Sequence, residues 1–276
     1  MNYKLLFPTY RNRYRFVQQT LQRFGPFEQG LSLGSGEGDY DAMIATHCRR
    51  LVACDINAAD VAFAKTLNQK VENLDYQVEN ALELSFADHT FQMLVSVEVI
   101  EHVGHPEQMV REMARVLAPG GIGIITFPSK DFPFTYDPVN RLNGGERRMA
   151  QGAYAFGHEY LISPADFRQW LRTYNLAILQ ERNLSGYLVG LLEMYWTGWI
   201  QRLFKANAGN VSGQEKVRKA ALRPTNKAPW LVVITDSILA LDRLWFGKSR
   251  YAVGKGFVVE KIAAERGDGK AGLHGE

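Results

Sequence analysis

The sequence predicts an α/β protein built on a doubly wound parallel sheet, and three observations carry that expectation. Strand-like and helix-like blocks alternate up to about residue 127, the stretch "GLSLGSGEGDYDAM" places glycine at every second position after an apolar run, and the next apolar run ends on an acid, Asp55. Strands separated by helices pair in parallel and are covered on both faces. In such sheets a ligand lies at the carboxyl ends of the strands, near the switch point.

The blocks follow in order. "GLSLG" (30–34) reads as the first strand, Tyr40 to Cys48 as a helix, "RLVACD" (50–55) as the second strand and Ala58 to Gln69 as a helix. "DYQVEN" (75–80) and "FQMLVSVE" (91–98) read as strands, and Glu107 to Leu117 as a helix with Met109, Val110, Met113, Ala114 and Leu117 on one face. "PGG" (119–121) is expected to stop that helix before the strand "GIGIITF" (121–127). "SPADFRQWLRTY" reads as a helix opened by Ser163 with Pro164 at its first position, and "GKGFVVEKI" (254–262) as the final strand.

Composition narrows the function. The 276 residues are 46% hydrophobic and carry 32 basic against 29 acidic side chains, a balance that makes nucleic acid an unexpected partner. The two cysteines, Cys48 and Cys54, lack metal-ligand or redox spacing, which reads as a reduced, cytoplasmic setting. The opening residues do not read as a secretory signal, because their apolar run is short and meets Pro8 and an arginine-rich stretch.

Gly34, Gly36 and Gly38 give the spacing GxGxG. A dinucleotide loop asks for a glycine where Asp39 stands, and a carboxylate there would face the pyrophosphate; a Walker loop is absent too, since no Gly-Lys-Ser/Thr follows. The expected ligand therefore lacks phosphate. Asp55 suits the two hydroxyls of a ribose, with a helix N-cap as the plain alternative, and Asn80 suits an adenine edge, with a turn residue as its alternative.

Together, "LSLGSGEGD", "ACDIN", "VENALELSFADHTFQMLVSVEVIEHV" and "MARVLAPGGIGIITFP" resemble the class I S-adenosylmethionine-dependent methyltransferases, in particular the branch similar to quinone-precursor O-methyltransferases, over roughly residues 28–128. The resemblance implies a Rossmann-like, doubly wound seven-stranded sheet with a reversed last hairpin, and a helical insertion before the last strand. It places Gly34, Gly36 and Gly38 on the cofactor loop, Asp55 and Ile56 at the ribose and adenine, Asn80 and Ala81 at the adenine, and Val97 and Glu98 at the wall after the fourth strand. Two departures stand out: Ser32 occupies a position where the family usually has an acid, with Glu37 as the substitute, and Asn80 and Gln92 stand where it usually has Asp.

The stretch "VEVIEHVGHP" adds Glu98, Glu101 and His102, and "GHEYLISPADF" adds His158. The resemblance to quinone-precursor O-methyltransferases and small-RNA end methyltransferases makes these four a candidate set for Mg²⁺, Mn²⁺ or Zn²⁺, which would orient a substrate hydroxyl and lower its pKa. Without a metal, His102 or His158 is the candidate general base, imidazole being the side chain suited to that role near neutral pH.

Residues 128–160, aromatic and rich in glycine and proline, read as a substrate lid. The expected organisation is an N-terminal helical segment (1–27), a methyltransferase core (28–184), a helical insertion (185–250), the last strand (251–263) and a disordered tail (264–276). Three readings of the insertion stay open: a cap over the substrate, a membrane-surface attachment at the inner face, and a homodimer interface. Its aromatic and leucine-rich segments flank a basic run holding Lys216, Arg218, Lys219, Arg223 and Lys227, yet neither is long enough to span a membrane. The expected activity is methyl transfer to a hydroxyl of a small-molecule, lipid-linked or glycan acceptor. A nicotinamide-dependent oxidoreductase and a non-catalytic scaffold are the alternatives.

Overall fold

Seven strands of 5 to 12 residues pair into one sheet, whose central strands are apolar runs that bury side chains on both faces. The computed structural model describes residues 2–131, 161–192 and 228–263. The strands are β1 (Phe27–Leu33), β2 (Cys48–Asp55), β3 (Leu74–Val78), β4 (Phe91–Val97), β5 (Leu117–Pro128), β6 (Leu176–Ser185) and β7 (Gly254–Lys261). Their order across the seven-stranded sheet is β3-β2-β1-β4-β5-β7-β6, with β7 antiparallel to both neighbours and the other pairs parallel. The chain reverses its direction of travel between β1 and β4, so the switch point falls at the end of β1.

Period-2 alternation divides the core in two. Leu31, Leu33, Phe127, Phe257 and Val259 face α4 (Pro106–Val116) and α5 (Pro164–Thr173), in a cluster with Met109, Met113, Phe167 and Leu171. Met93, Val95, Ile122, Ile124 and Val258 face the other way, onto α1 (Pro8–Phe24) and α2 (Asp41–Ala45). Phe16 of α1 lies directly on β7, where a Cβ at Gly256 would meet its ring at 2.7 Å. Two further helices are α3 (Ala58–Leu67), after β2, and α6 (Val232–Phe246), before β7.

Several elements differ in extent from the expectation. The helix after the glycine loop is only Asp41–Ala45, because the chain turns at Thr46 and His47 to enter β2. The "PGG" run does not end α4, which stops at Val116; it lies inside β5, where the register jumps from Phe91↔Leu117 to Met93↔Ile122 and Gly120 takes φ 77°. The extra residues loop out as a bulge that glycine tolerates. Ser163 caps α5 as expected, its hydroxyl accepting from the Asp166 amide.

The segment entering and leaving the late helices is held by one buried carboxylate. Asp242 of α6, 5% exposed, accepts from the backbone N–H groups of Gly186 (2.7 Å), Leu188 (3.0 Å) and Val189 (3.2 Å). Gly186 is required there, since a Cβ would lie 2.8 Å from Asp242 Oδ1. Asp242→Ala strands these donors and is expected to lower stability by about 3 kcal/mol, read as a drop in the urea midpoint; an unchanged midpoint would remove the carboxylate from this role.

Candidate functional site

The glycine loop leaves β1 at the switch point with Gly34, Gly36 and Gly38 at φ 72°, 50° and 79°. Two of the three are fixed by packing. A Cβ at Gly34 would meet Val99 Cγ2 at 2.4 Å, and one at Gly38 would meet Ala64, Asn68 and Tyr76 at 2.8 Å. Gly36 has nothing within 4 Å of its missing Cβ, so its left-handed backbone faces open space, the surface a ligand would approach. A cleft of about 340 Å³ opens there, lined by the loop together with Lys4, Ser32, Tyr40, Val95 and Val97, and by the carboxyl-bearing Glu37, Asp39, Asp41 and Asp60.

Asp55 stands at the end of β2, its Oδ2 accepting from the Gly36 amide (2.8 Å) and its Oδ1 from the Asn57 amide (2.9 Å). It is not the N-cap of α3; that role belongs to Asn57, whose side chain accepts from Ala59. Ile56 beside it is 69% exposed. Asn80 lies in a turn, its side chain accepting from the Leu82 amide (3.0 Å), with Ala81 half-buried next to it.

Val97 lines the cleft and Glu98 follows it with φ 55°, a left-handed conformation that costs energy for a residue with a Cβ. Surrounding bonds hold it: its amide donates to Thr126 O (3.0 Å), Thr126 Oγ1 donates to its Oε1 (3.0 Å), and Arg13 donates to its Oε2 (3.0 Å). Glu101 is fully buried, and burial together with the charge of Glu98 holds its carboxyl well above the ordinary range. His102 is exposed, its Nε2 3.9 Å from Glu101 Oε1.

The expected metal set is not assembled among the described residues. No three His, Cys, Asp or Glu side chains there converge on a common point, because Glu98 is engaged by Arg13 and Thr126 while Glu101 is withdrawn into the core. His158 and most of the expected lid lie outside the described residues. The described donors do not fit an ion.

Four features of the site escaped the sequence reading. Lys4 pairs with Asp39, and Tyr10 and Tyr14 stack near Tyr40, with ring centroids 5.1 and 5.7 Å from it, so the N-terminal segment sits over the loop. Arg13 reaches Glu98, and Asp41 sits beneath the loop, bonded by Ser32 Oγ (2.7 Å) and Tyr76 Oη (2.9 Å). The available signal was the i, i+4 spacing of Tyr10 and Tyr14 and of Arg11 and Arg15 after Pro8, which marks a helix with an aromatic face and a basic one.

With that geometry in place, comparison with known proteins shows similarity to methyltransferases. Residues 31–125 match the family model of a methyltransferase domain. A probable S-adenosylmethionine-dependent methyltransferase of Mycolicibacterium smegmatis is 33% identical over 141 residues, 49% of this chain and 54% of that protein. The ubiquinone biosynthesis O-methyltransferase of Coxiella burnetii is 23% identical over 172 residues, 60% of this chain and 70% of that protein. At about 30% identity the chain spans about half the length of the curated relatives it matches. The solved structure of the YcgJ protein from Bacillus subtilis shares the fold, with TM-score 0.57 at 18% identity, covering 92% of this chain and 100% of that one.

Burial pushes the Asp41 carboxyl up to about 7 from its ordinary value of 3.8, the bonds from Ser32 and Tyr76 only partly offsetting it. The folded protein then keeps a proton that the unfolded chain releases, so this group's contribution to stability declines as pH rises from about 4 to about 7. Asp41→Asn is expected to abolish that decline, worth roughly 2–4 kcal/mol between pH 4 and pH 8. Denaturation curves of both proteins across that range check it, and parallel pH profiles would contradict it.

Proposed function

We propose, from the match of residues 31–125 to a methyltransferase domain and the likeness to S-adenosylmethionine-dependent relatives, that the chain transfers a methyl group from that cofactor to a hydroxyl of a small, lipid-linked or glycan acceptor. The observation that carries this reading is the charge of the cleft. Glu37, Asp39, Asp41 and Asp60 line it, Asp55 stands at its edge, and Lys4, its one lining cation among the described residues, is paired with Asp39. Such a lining repels a pyrophosphate and suits a cofactor whose sulfonium and ammonium are both positive. A nicotinamide cofactor is disfavoured on that ground, and a scaffold that had lost its ligand would have no need to keep the open face at Gly36.

In this reading Asp55 takes the ribose hydroxyls, with Ile56, Asn80 and Ala81 around the adenine. Methyl transfer is an in-line displacement at a carbon on cationic sulfur, so alignment of the acceptor supplies much of the rate. Glu98 and Val97 form the wall at the β4 end of the cleft. His102, exposed in the turn after β4, is the proposed proton acceptor, Glu101 being withdrawn into the core. Calorimetry with S-adenosylhomocysteine should give binding that Asp55→Ala weakens by about 1–3 kcal/mol, the range for bonds to a charged group. Tight NADH binding with no response to the sulfur ligand would overturn the reading.

An amphipathic acceptor presented at a membrane surface is favoured by the outer side of α6 and the turn before it. Trp230, Val233, Leu244 and Trp245 are 77, 67, 76 and 62% exposed. No helix among the described residues is long and apolar enough to cross a membrane. Tryptophans at a water-facing apolar surface suit an interfacial contact, and the basic run ending at Lys227, which lies outside the described residues, would add attraction to anionic lipid. Flotation with anionic liposomes at low salt should carry the wild type up and leave Trp230→Ala/Trp245→Ala largely behind. Equal flotation of both, or none of either, would count against a membrane role for this face.

A further inference from the structure

We propose that Ser32 and Asp41 act as one unit that holds a cationic amino group in the cleft, Ser32 Oγ receiving the ammonium and Asp41 supplying the balancing negative charge behind it. The inference rests on the proposed cofactor, whose methionine end carries that ammonium.

The arrangement has three layers. Ser32, 4% exposed at the end of β1, lines the cleft and donates its hydroxyl proton to Asp41 Oδ1 at 2.7 Å, which leaves its oxygen lone pairs as acceptors. Asp41, with no exposed surface, is fixed from the far side by Tyr76 Oη at 2.9 Å. Tyr76 in turn accepts from the Asn68 amide (2.7 Å), which also donates to Gly38 O (2.9 Å), so β1, α2, β3 and the loop are tied into one frame. Among the described residues this carboxyl has no ion pair, and the Ser32 end of the hydrogen bond lines the cleft, from which a cation can approach it.

Two other acids beside the loop are differently placed. Asp39 is paired with Lys4, and Asp55 is bonded by two backbone amides at the opposite end of the loop. Asp39 and Asp55 both oppose ionisation of Asp41, whose carboxyl burial pushes up to about 7. Burial also holds Cys54, Tyr40 and Tyr76 well above their ordinary values, so of these buried groups Asp41 is the one raised into the neutral range. A cation arriving at Ser32 favours the ionised form, and ligand binding then expels one proton.

The test compares S-adenosylhomocysteine with 5′-methylthioadenosine, which keeps the adenosine and thioether but has no amino-acid end. Calorimetry at pH 6 and pH 8 is run on the wild type, Asp41→Asn and the exchanged double variant Ser32→Asp/Asp41→Ser. The wild type should bind S-adenosylhomocysteine roughly tenfold more tightly at pH 8. Asp41→Asn should lose about tenfold or more at pH 8 and lose the pH dependence, while 5′-methylthioadenosine binds it as it binds the wild type. The exchanged variant, with the carboxyl moved to the other end of the same hydrogen bond, should regain S-adenosylhomocysteine affinity. Equal loss of both ligands in Asp41→Asn, or no loss of either, would overturn the assignment and leave Asp41 a packing residue. Failure of both ligands on the wild type would instead bring down the cofactor reading, and this inference with it.

Discussion

The close approach of the glycine loop to its neighbours is the constraint on which the rest of the site depends. Gly34 and Gly38 leave no room for a Cβ, one against Val99 after β4 and the other against α3 and β3, so the loop is clamped between elements from both halves of the sheet. Gly36, between them, is left facing the cleft. The same clamp sets the distance from the loop to Asp55, whose carboxylate accepts from the Gly36 amide, and to Asp41, which lies beneath through Ser32 and Tyr76. A shift of any one of these elements would displace all the groups that face the ligand.

The N-terminal segment extends this frame over the cleft. Lys4 and Arg13 reach Asp39 and Glu98, while Arg11 and Arg15 on the same helix reach Asp236 of α6, and Thr235 donates to Leu6 O (2.9 Å). The N-terminal segment therefore connects the glycine loop, the strained residue after β4 and the late helix beside the exposed tryptophans. Salt bridges that are partly exposed contribute little each. Their value here is geometric, since all three arginines of one turn-and-a-half of helix, Arg11, Arg13 and Arg15, find carboxylates on two separate elements.

What was legible in the sequence was what local pattern controls. β1, β2, β4 and β7 announce themselves as apolar runs because they are buried on both faces, and the glycine loop and Asp55 are visible through spacing alone. β6, "LAILQERNLS", passed without notice because an edge strand keeps Gln180, Glu181 and Arg182 half-buried in its middle and shows no clean alternation. The Asp41–Tyr76 and Arg13–Glu98 bonds join residues 35 and 85 positions apart, and no spacing rule reports contacts of that range. The metal expectation shows the reverse difficulty: ExxEH is a sequence pattern, but a short helical turn sends Glu101 into the core and leaves His102 exposed, so the three side chains do not converge on one point.

The central claim is that the cleft between the glycine loop and Asp55 is built for the sulfur cofactor in one orientation. A crystal structure of the protein grown with S-adenosylhomocysteine tests it most directly. The account requires both ribose hydroxyls within hydrogen-bond distance of Asp55, the backbone of Gly36 against the ligand, and the amino group at Ser32. A ligand bound elsewhere, or one with its amino-acid end at Asp55 and its adenosine at Ser32, would contradict it.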